Sequence, residues 1–253
     1  MLFTDSACIG IDTTSGRRPF TYAALDYDLN LIALAEAELD DVASFLIGQK
    51  SATVAVNAPS HVNIGMVRKN LEKQSLTPHQ VRGVDIRIAE YQLRERGIGV
   101  SGTASREMLC PSWIQMGFAL YRKLSKIGFK TYPNEGESYQ YLETHPHACF
   151  SVLLGRCPLP KPTLEGRLQR ELILFERGVQ IRDPMTFFEE ITRHKLMYGI
   201  LPMDLVYYPN QLDALVAAFT AWLAVKKPVE LTRLGNKQEG FITLPTPLLK
   251  EKY

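Results

Sequence analysis

Residues 8–12 read Cys8-Ile9-Gly10-Ile11-Asp12, an apolar run that ends in a carboxylate and is followed by Thr13, Thr14, Ser15 and Gly16. An apolar run of this length bounded by turn formers predicts a buried strand with its acid at the tip. A buried carboxylate is costly unless a metal, a hydrogen-bond donor or a catalytic role compensates it. Asp12 is therefore the first candidate for a site. Three later segments end in comparable polar positions, at Asn57, Glu143 and Asp213.

Strands are predicted over 7–12, 19–27 and 30–37, the last two joined by a tight turn at Asp28-Leu29. A helix follows, capped by Asp40 or Asp41, with Val42, Phe45 and Leu46 as its apolar stripe. Thr53 to Val56 reads as a short apolar strand ending at Asn57-Ala58-Pro59. Three strands, a crossover helix and a further strand make a mixed sheet. From 60 to 106 the chain turns rich in Arg, Gly and Ser, with helical composition over 85–96. This stretch reads as an insertion or cap within a single domain spanning 1–253.

Pro111 opens a predicted helix running to about residue 127, and 129–132 and 139–143 read as extended. Further helices are expected near 147–155, 163–177 and 184–197, with Pro158, Pro160 and Pro162 marking a linker. The strongest late helix is 211–225, with Asn210 as its expected cap and Asp213 at its third position. Leu212, Leu215, Phe219, Trp222 and Leu223 form one stripe; Ala214, Ala217, Ala218 and Ala221 form a small-residue side that allows close approach to a sheet. A last extended piece is expected over 240–244.

Composition narrows the functional classes. With 253 residues, 45% hydrophobic and 22% charged, the chain has the make-up of an ordinary globular protein. A net charge of only +2 supplies no global field for nucleic acid, so any such binding must be local. The four cysteines, Cys8, Cys110, Cys149 and Cys157, lack metal spacing and read as reduced thiols of a cytoplasmic protein. No signal-peptide pattern opens the chain, and no window of about 18 uninterrupted apolar residues predicts a membrane span.

Magnesium and manganese prefer hard oxygen ligands and accept water in the remaining positions. Two such ions about 3.5–4 Å apart clamp the attacking and leaving oxygens of a phosphodiester displacement, which requires several acids from different elements. Asp12, Glu143 and Asp213 suit that demand, with Asn57 as a neutral oxygen ligand. Each also has a plainer reading: Asp12 and Asn57 as turn residues, Asp213 as partner of a helix dipole, Glu143 as an exposed acid. Arg87, Glu90 and Arg94 share one helical face at i, i+3 and i+7, which is ordinarily a solvated charge ladder and alternatively a phosphate contact. Lys161, Arg167, Arg17 and Arg18 face the same choice. His145 and His147 read as capping or solvent-facing residues, since no third ligand accompanies them.

The ordered motifs Gly10-Ile11-Asp12, Val56-Asn57-Ala58-Pro59, Glu143-Thr144-His145-Pro146 and the stretch from Leu212 to Trp222 resemble the domain-of-unknown-function family 429. Members of that family are described as predicted nucleases with an RNase H-like fold. Segments 87–94, 161–167 and 239–245 are also similar, so the resemblance covers roughly residues 7 to 245. It implies an α/β, RNase H-like mixed five-stranded sheet of order 3-2-1-4-5, flanked by helices, with a helical insertion after strand 4. The acids would cluster where strands 1 and 4 diverge. The family usually carries Asp at the positions of Asn57 and Glu90; Glu90 keeps the charge and Asn57 does not.

The leading expectation is a metal-dependent nuclease that hydrolyses DNA or RNA. Asp12, Glu143 and Asp213 would be catalytic; Asp12, Asn57, Glu143 and Asp213 would hold Mg2+ or Mn2+. Asn57, Arg87, Glu90, Arg94, Lys161 and Arg167 would contact substrate. The alternatives are a non-catalytic RNase H-like binding scaffold whose metal site is eroded at Asn57, and an actin-like phosphotransferase. The latter is weakened by Thr14, which stands where a phosphate loop of the Asp12-to-Gly16 kind needs glycine.

Overall fold

The computed structural model describes residues 7–74 and 85–253. In chain order the elements are β1 (Ala7–Thr13), β2 (Phe20–Leu25), β3 (Leu31–Ala37), α1 (Leu39–Ile47), β4 (Ala52–Asn57), α2 (Met66–Gln74) and α3 (Ile88–Glu95). Then come α4 (Ser112–Lys126), β5 (Lys130–Thr131), β6 (Tyr139–Thr144), α5 (Pro146–Leu154), α6 (Leu164–Glu176) and α7 (Thr186–Tyr198). The chain closes with α8 (Pro209–Lys226), β7 (Thr232–Asn236) and β8 (Gly240–Leu244).

The fold is α/β, built on a mixed eight-stranded sheet of order β3-β2-β1-β4-β6-β8-β7, with β5 paired to β6. The expected run of five strands is its left part, β3-β2-β1-β4-β6. The expectation of five strands is corrected by the β7–β8 hairpin, which continues the sheet beyond β6, and by the two-residue β5. β7 escaped the sequence reading because Thr232-Arg233-Leu234-Gly235-Asn236 carries one strong apolar residue; pairing with β8 makes it a strand.

β1 is buried at every position, antiparallel to β2 and parallel to β4. Its alternation sends Ala7, Ile9 and Ile11 into the core shared with α1 and α4. Cys8 faces the other core, under α8, and Gly10 faces the same way. Gly10 is where α8 crosses the sheet: a Cβ there would lie 2.0 Å from the Ala214 carbonyl oxygen and 2.2 Å from the Ala218 nitrogen. The small-residue side of α8 thus seats on β1 as its composition predicts. The rest of α8 is buried nearly all round, by α5 and α6 as well as the sheet.

Several helix caps differ from expectation. α1 is capped at Glu38, with Asp41 reaching back to the Glu38 N–H, rather than at Asp40 or Asp41. α8 begins at Pro209, a residue already suited to the first turn, and its Gln211 side chain accepts from the Tyr208 N–H at 2.8 Å. Asn210 therefore lies inside the helix, where its amide donates to Thr21 Oγ1 and Glu36 Oε1, and Asp213 sits at the fifth helical position. The stretch 60–106 holds two helices among the described residues, α2 and α3, where one was expected; residues 75–84 of that stretch lie outside the described residues. Cys8, Cys110, Cys149 and Cys157 are all free thiols. No described helix is long and apolar enough to cross a membrane.

Candidate active site

β1, β4 and β6 run parallel, so their C-terminal ends lie at one edge of the sheet, where α/β folds place ligand sites. A cleft of about 410 Å³ opens there. Asp12, Asn57, Arg87, Glu90, Glu143, Lys161 and Asp213 all line it. Arg94 and Arg167 do not. Arg94 donates to the Val100 carbonyl at 2.8 and 3.1 Å, and Arg167 to the Val206 and Tyr207 carbonyls at 2.6 and 2.7 Å. Both tie loops to helices. Arg17 and Arg18 are exposed in the turn after β1.

Register explains the centre of the cleft. Asp12 and Asn57 are paired neighbours on β1 and β4, both on the face that carries α8. The Asn57 amide Nδ2 donates to Asp12 Oδ1 at 2.5 Å, and Thr13 Oγ1 donates to the Asn57 carbonyl at 2.9 Å. Asp213 arrives from the second turn of α8, above the crossing at Gly10. The two aspartates are 3% and 5% exposed. Burial, and next the negative charge of Asp213, push the Asp12 carboxyl up to about 8, against the pull of Lys161 and Asn57. Burial also raises Asp213, while Lys161 and Arg170 oppose the rise.

Lys161 forms an ion pair with Asp213 Oδ2 from the proline-marked linker between α5 and α6. Its side chain is 42% exposed, whereas that of Asp213 is buried, so the ammonium closes the cleft from the solvent side. The linker is held by Arg170, which donates to the Leu159 and Gly166 carbonyls at 2.9 and 2.7 Å and stacks over Phe150. Gly166 permits this approach, since a Cβ there would lie 1.9 Å from the Pro160 oxygen. Arg170 also lines the cleft and was missed by the sequence reading. Its spacing, three residues after Arg167, marks an ordinary helical position.

Glu143 is placed differently. Leu142 turns into the core under α8, while Tyr139 and Tyr141 pack on the α4 side, so the period of two puts Glu143 on the face opposite Asp12. Arg87 grips it with Nη2 to Oε1 at 2.5 Å and Nη1 to Oε2 at 3.0 Å; the Ser60 N–H and Oγ–H add two bonds of 2.7 Å to Oε2. Arg87 Nε donates to Glu90 Oε1 at 2.8 Å, and the Thr103 N–H and hydroxyl also bond Glu90. Burial works against the Arg87 charge, but Glu143 and Glu90 outweigh it and raise the pKa.

Arg87 is the N-cap of α3 rather than a member of its exposed face, and Glu90 is buried in the first turn. The solvated charge ladder is thereby corrected: all but Arg94 of that trio is interior. The Glu239 side chain extends the network, accepting from the Ile64 and Ile88 N–H groups at 3.0 and 2.9 Å. His145 caps α5, its Nδ1 accepting from the Ala148 N–H, and burial lowers its pKa to about 4. Burial, then Arg170 and Lys161, lower His147. The capping expectation holds for His145.

Among the described residues no group of three or more His, Cys, Asp or Glu side chains is placed to hold a metal ion. The acids that meet are a pair, Asp12 and Asp213. Two carboxylates with water in the other positions form a donor set that magnesium or manganese accepts, so the pair fits one hard cation. The set does not extend to a second ion: Glu143 is saturated by Arg87 and Ser60, and residue 57 presents an amide.

The fold and cleft define an α/β protein with a buried acid pair at the ends of parallel strands. The family model described as "Protein of unknown function (DUF429)" matches residues 10–234, and the chain belongs to that family. No match was found among curated proteins or among solved structures.

Proposed function

We propose that the chain is a metal-dependent nuclease of RNase H-like fold, working with one Mg2+ or Mn2+ ion held by Asp12 and Asp213. The observation that supports this reading is the facing of two buried aspartates: burial first, and then repulsion from the Asp213 charge, push the Asp12 carboxyl up to about 8. A divalent cation relieves that repulsion, and when bound it polarises a phosphodiester and acidifies a water molecule. The rest is supplied by the chain. Asn57 orients Asp12 through its Nδ2–H. Lys161, half-exposed at the mouth, and Arg170 behind it supply positive charge for a phosphate oxygen. Arg87 and Glu143 brace the strand ends and the 60–106 stretch rather than contacting the reacting atoms.

Manganese titration followed by calorimetry, with wild type and Asp12→Asn side by side, tests the proposal together with cleavage of labelled DNA and RNA oligonucleotides. Saturable binding of one ion and cleavage, both lost in Asp12→Asn, are expected. Binding without cleavage of any oligonucleotide overturns the nuclease assignment.

A second reading draws on one specific observation: Lys161 already neutralises Asp213, and Arg87 already neutralises Glu143. A site balanced in this way without an ion suits a non-catalytic RNase H-like scaffold that binds nucleic acid. Absence of manganese uptake at millimolar concentration favours that scaffold.

A further inference from the structure

A second pocket, of about 470 Å³, lies on the side of the sheet towards which Glu143 points. It forms where the edge of β6 passes from β5 to β8: Thr131 pairs with Tyr141, whereas Glu143 and Thr144 pair with Ile242 and Thr243. Ile242 and Leu244 turn into the core, so Phe241 and Thr243 face the pocket. Its walls carry the aromatic rings of Tyr132, Tyr141 and Phe241 and two cations, Arg233 and Lys237.

The Arg233 guanidinium lies 4.2 Å over the Phe241 ring, and its Nε is buried with no hydrogen-bond partner among the described residues. Neither Arg233 nor Lys237 forms an ion pair among the described residues. The pocket's one acid, Glu143, is already matched by Arg87. The pocket is thus net positive and lined by aromatic residues. An arginine held over an aromatic ring forms with it a platform on which a base stacks, and a second cation in the same pocket receives a phosphate. The volume falls within the range of small-ligand sites.

We propose that this pocket binds a nucleotide unit, its base stacked on the Arg233–Phe241 pair or on Tyr132 and its phosphate held by Lys237 and Arg233. It adds a site separate from the acid pair; only the expectation that the unit belongs to a nucleic-acid strand rests on the nuclease reading. A nucleotide enters either as a free mononucleotide or as part of a single strand, and both present the same ring and phosphate.

Binding of AMP, inorganic phosphate and a fluorescent oligothymidylate is measured in EDTA, which removes divalent ions from the acid pair. AMP or the oligonucleotide should saturate, with inorganic phosphate at least about tenfold weaker because it cannot stack. Lys237→Glu, an exposed turn substitution, should weaken binding about tenfold or more, as should Arg233→Gln, while Asp12→Asn leaves it unchanged. Equal affinity for AMP and oligonucleotide identifies the free nucleotide; tighter, salt-sensitive oligonucleotide binding identifies the strand. No saturation by either, phosphate binding as well as AMP, or binding lost in Asp12→Asn but kept in Lys237→Glu overturns the proposal. Failure of manganese uptake by the acid pair would leave this result standing, so the two readings fail separately.

Discussion

Arg87 and Glu143, 56 residues apart in sequence, form a buried two-pronged ion pair in which both side chains are almost fully enclosed. Removing one member of such a pair leaves an uncompensated charge in a poorly solvated site. Arg87→Met should therefore cost about 3–5 kcal/mol of stability in urea unfolding, because it strands both Glu143 and Glu90. Adding Glu143→Leu should recover part of that loss. A cost below about 1 kcal/mol for Arg87→Met would show that the pair is hydrated in solution.

Gly10→Ala tests the crossing of α8 over β1. The added methyl meets backbone atoms of Ala214 and Ala218, which cannot rotate away. A loss of at least about 2 kcal/mol is expected, as overpacking against rigid groups produces. An unchanged melting temperature would mean that the helix rides higher on the sheet.

The acid pair makes metal-free stability depend on pH. An unfolded aspartate releases its proton near pH 4, whereas folded Asp12 holds it to about 8. Between those values the folded state binds more protons, so stability falls as pH rises, by up to about 1.4 kcal/mol per pH unit, and levels off above 8. Burial raises Asp213 as well, which adds a slope of the same sign. Asp12→Asn should flatten the decline in chelator-treated protein, raising its stability at pH 8 relative to wild type. Thermal melts from pH 5 to 9 check it, and parallel curves for the two proteins would contradict it.

Asn57→Asp places a third carboxylate against Asp12, where the Nδ2–H now donates. Without metal, this substitution should destabilise the protein by about 1–3 kcal/mol at pH 8, through lost hydrogen bonding and like-charge repulsion. Millimolar manganese should restore the loss, and affinity for the ion should rise. Destabilisation that manganese does not reverse would separate Asn57 from any cation site.

Much of this was legible in local sequence. The run from Cys8 to Asp12 announced a central strand because both of its faces had to be apolar. The alanines of the last long helix announced close packing, since only small side chains let a helix backbone reach a sheet. Asp12, Asn57 and Asp213 were marked by position, each at the end of a strongly patterned element, and they do line one cleft. β7 and Arg170 carried no comparable local signal: one lies in a polar strand that exists through its partner, the other on an ordinary helical turn.

Local sequence was enough for the strand and helix inventory near the N-terminus and for the acid at the tip of β1, whereas the order of the first five sheet positions was implied by the family resemblance. Hydrophobic periodicity is a local property: it marks which segments are strands and leaves their partners open. Which acids meet depended on packing between distant segments. The segment Tyr139-Gln140-Tyr141-Leu142-Glu143-Thr144 does not declare its faces, and a shift of one residue exchanges them. Packing of Leu142 under α8 turned Glu143 away from Asp12 and towards Arg87, because side chains on a strand alternate and only one face could receive the core.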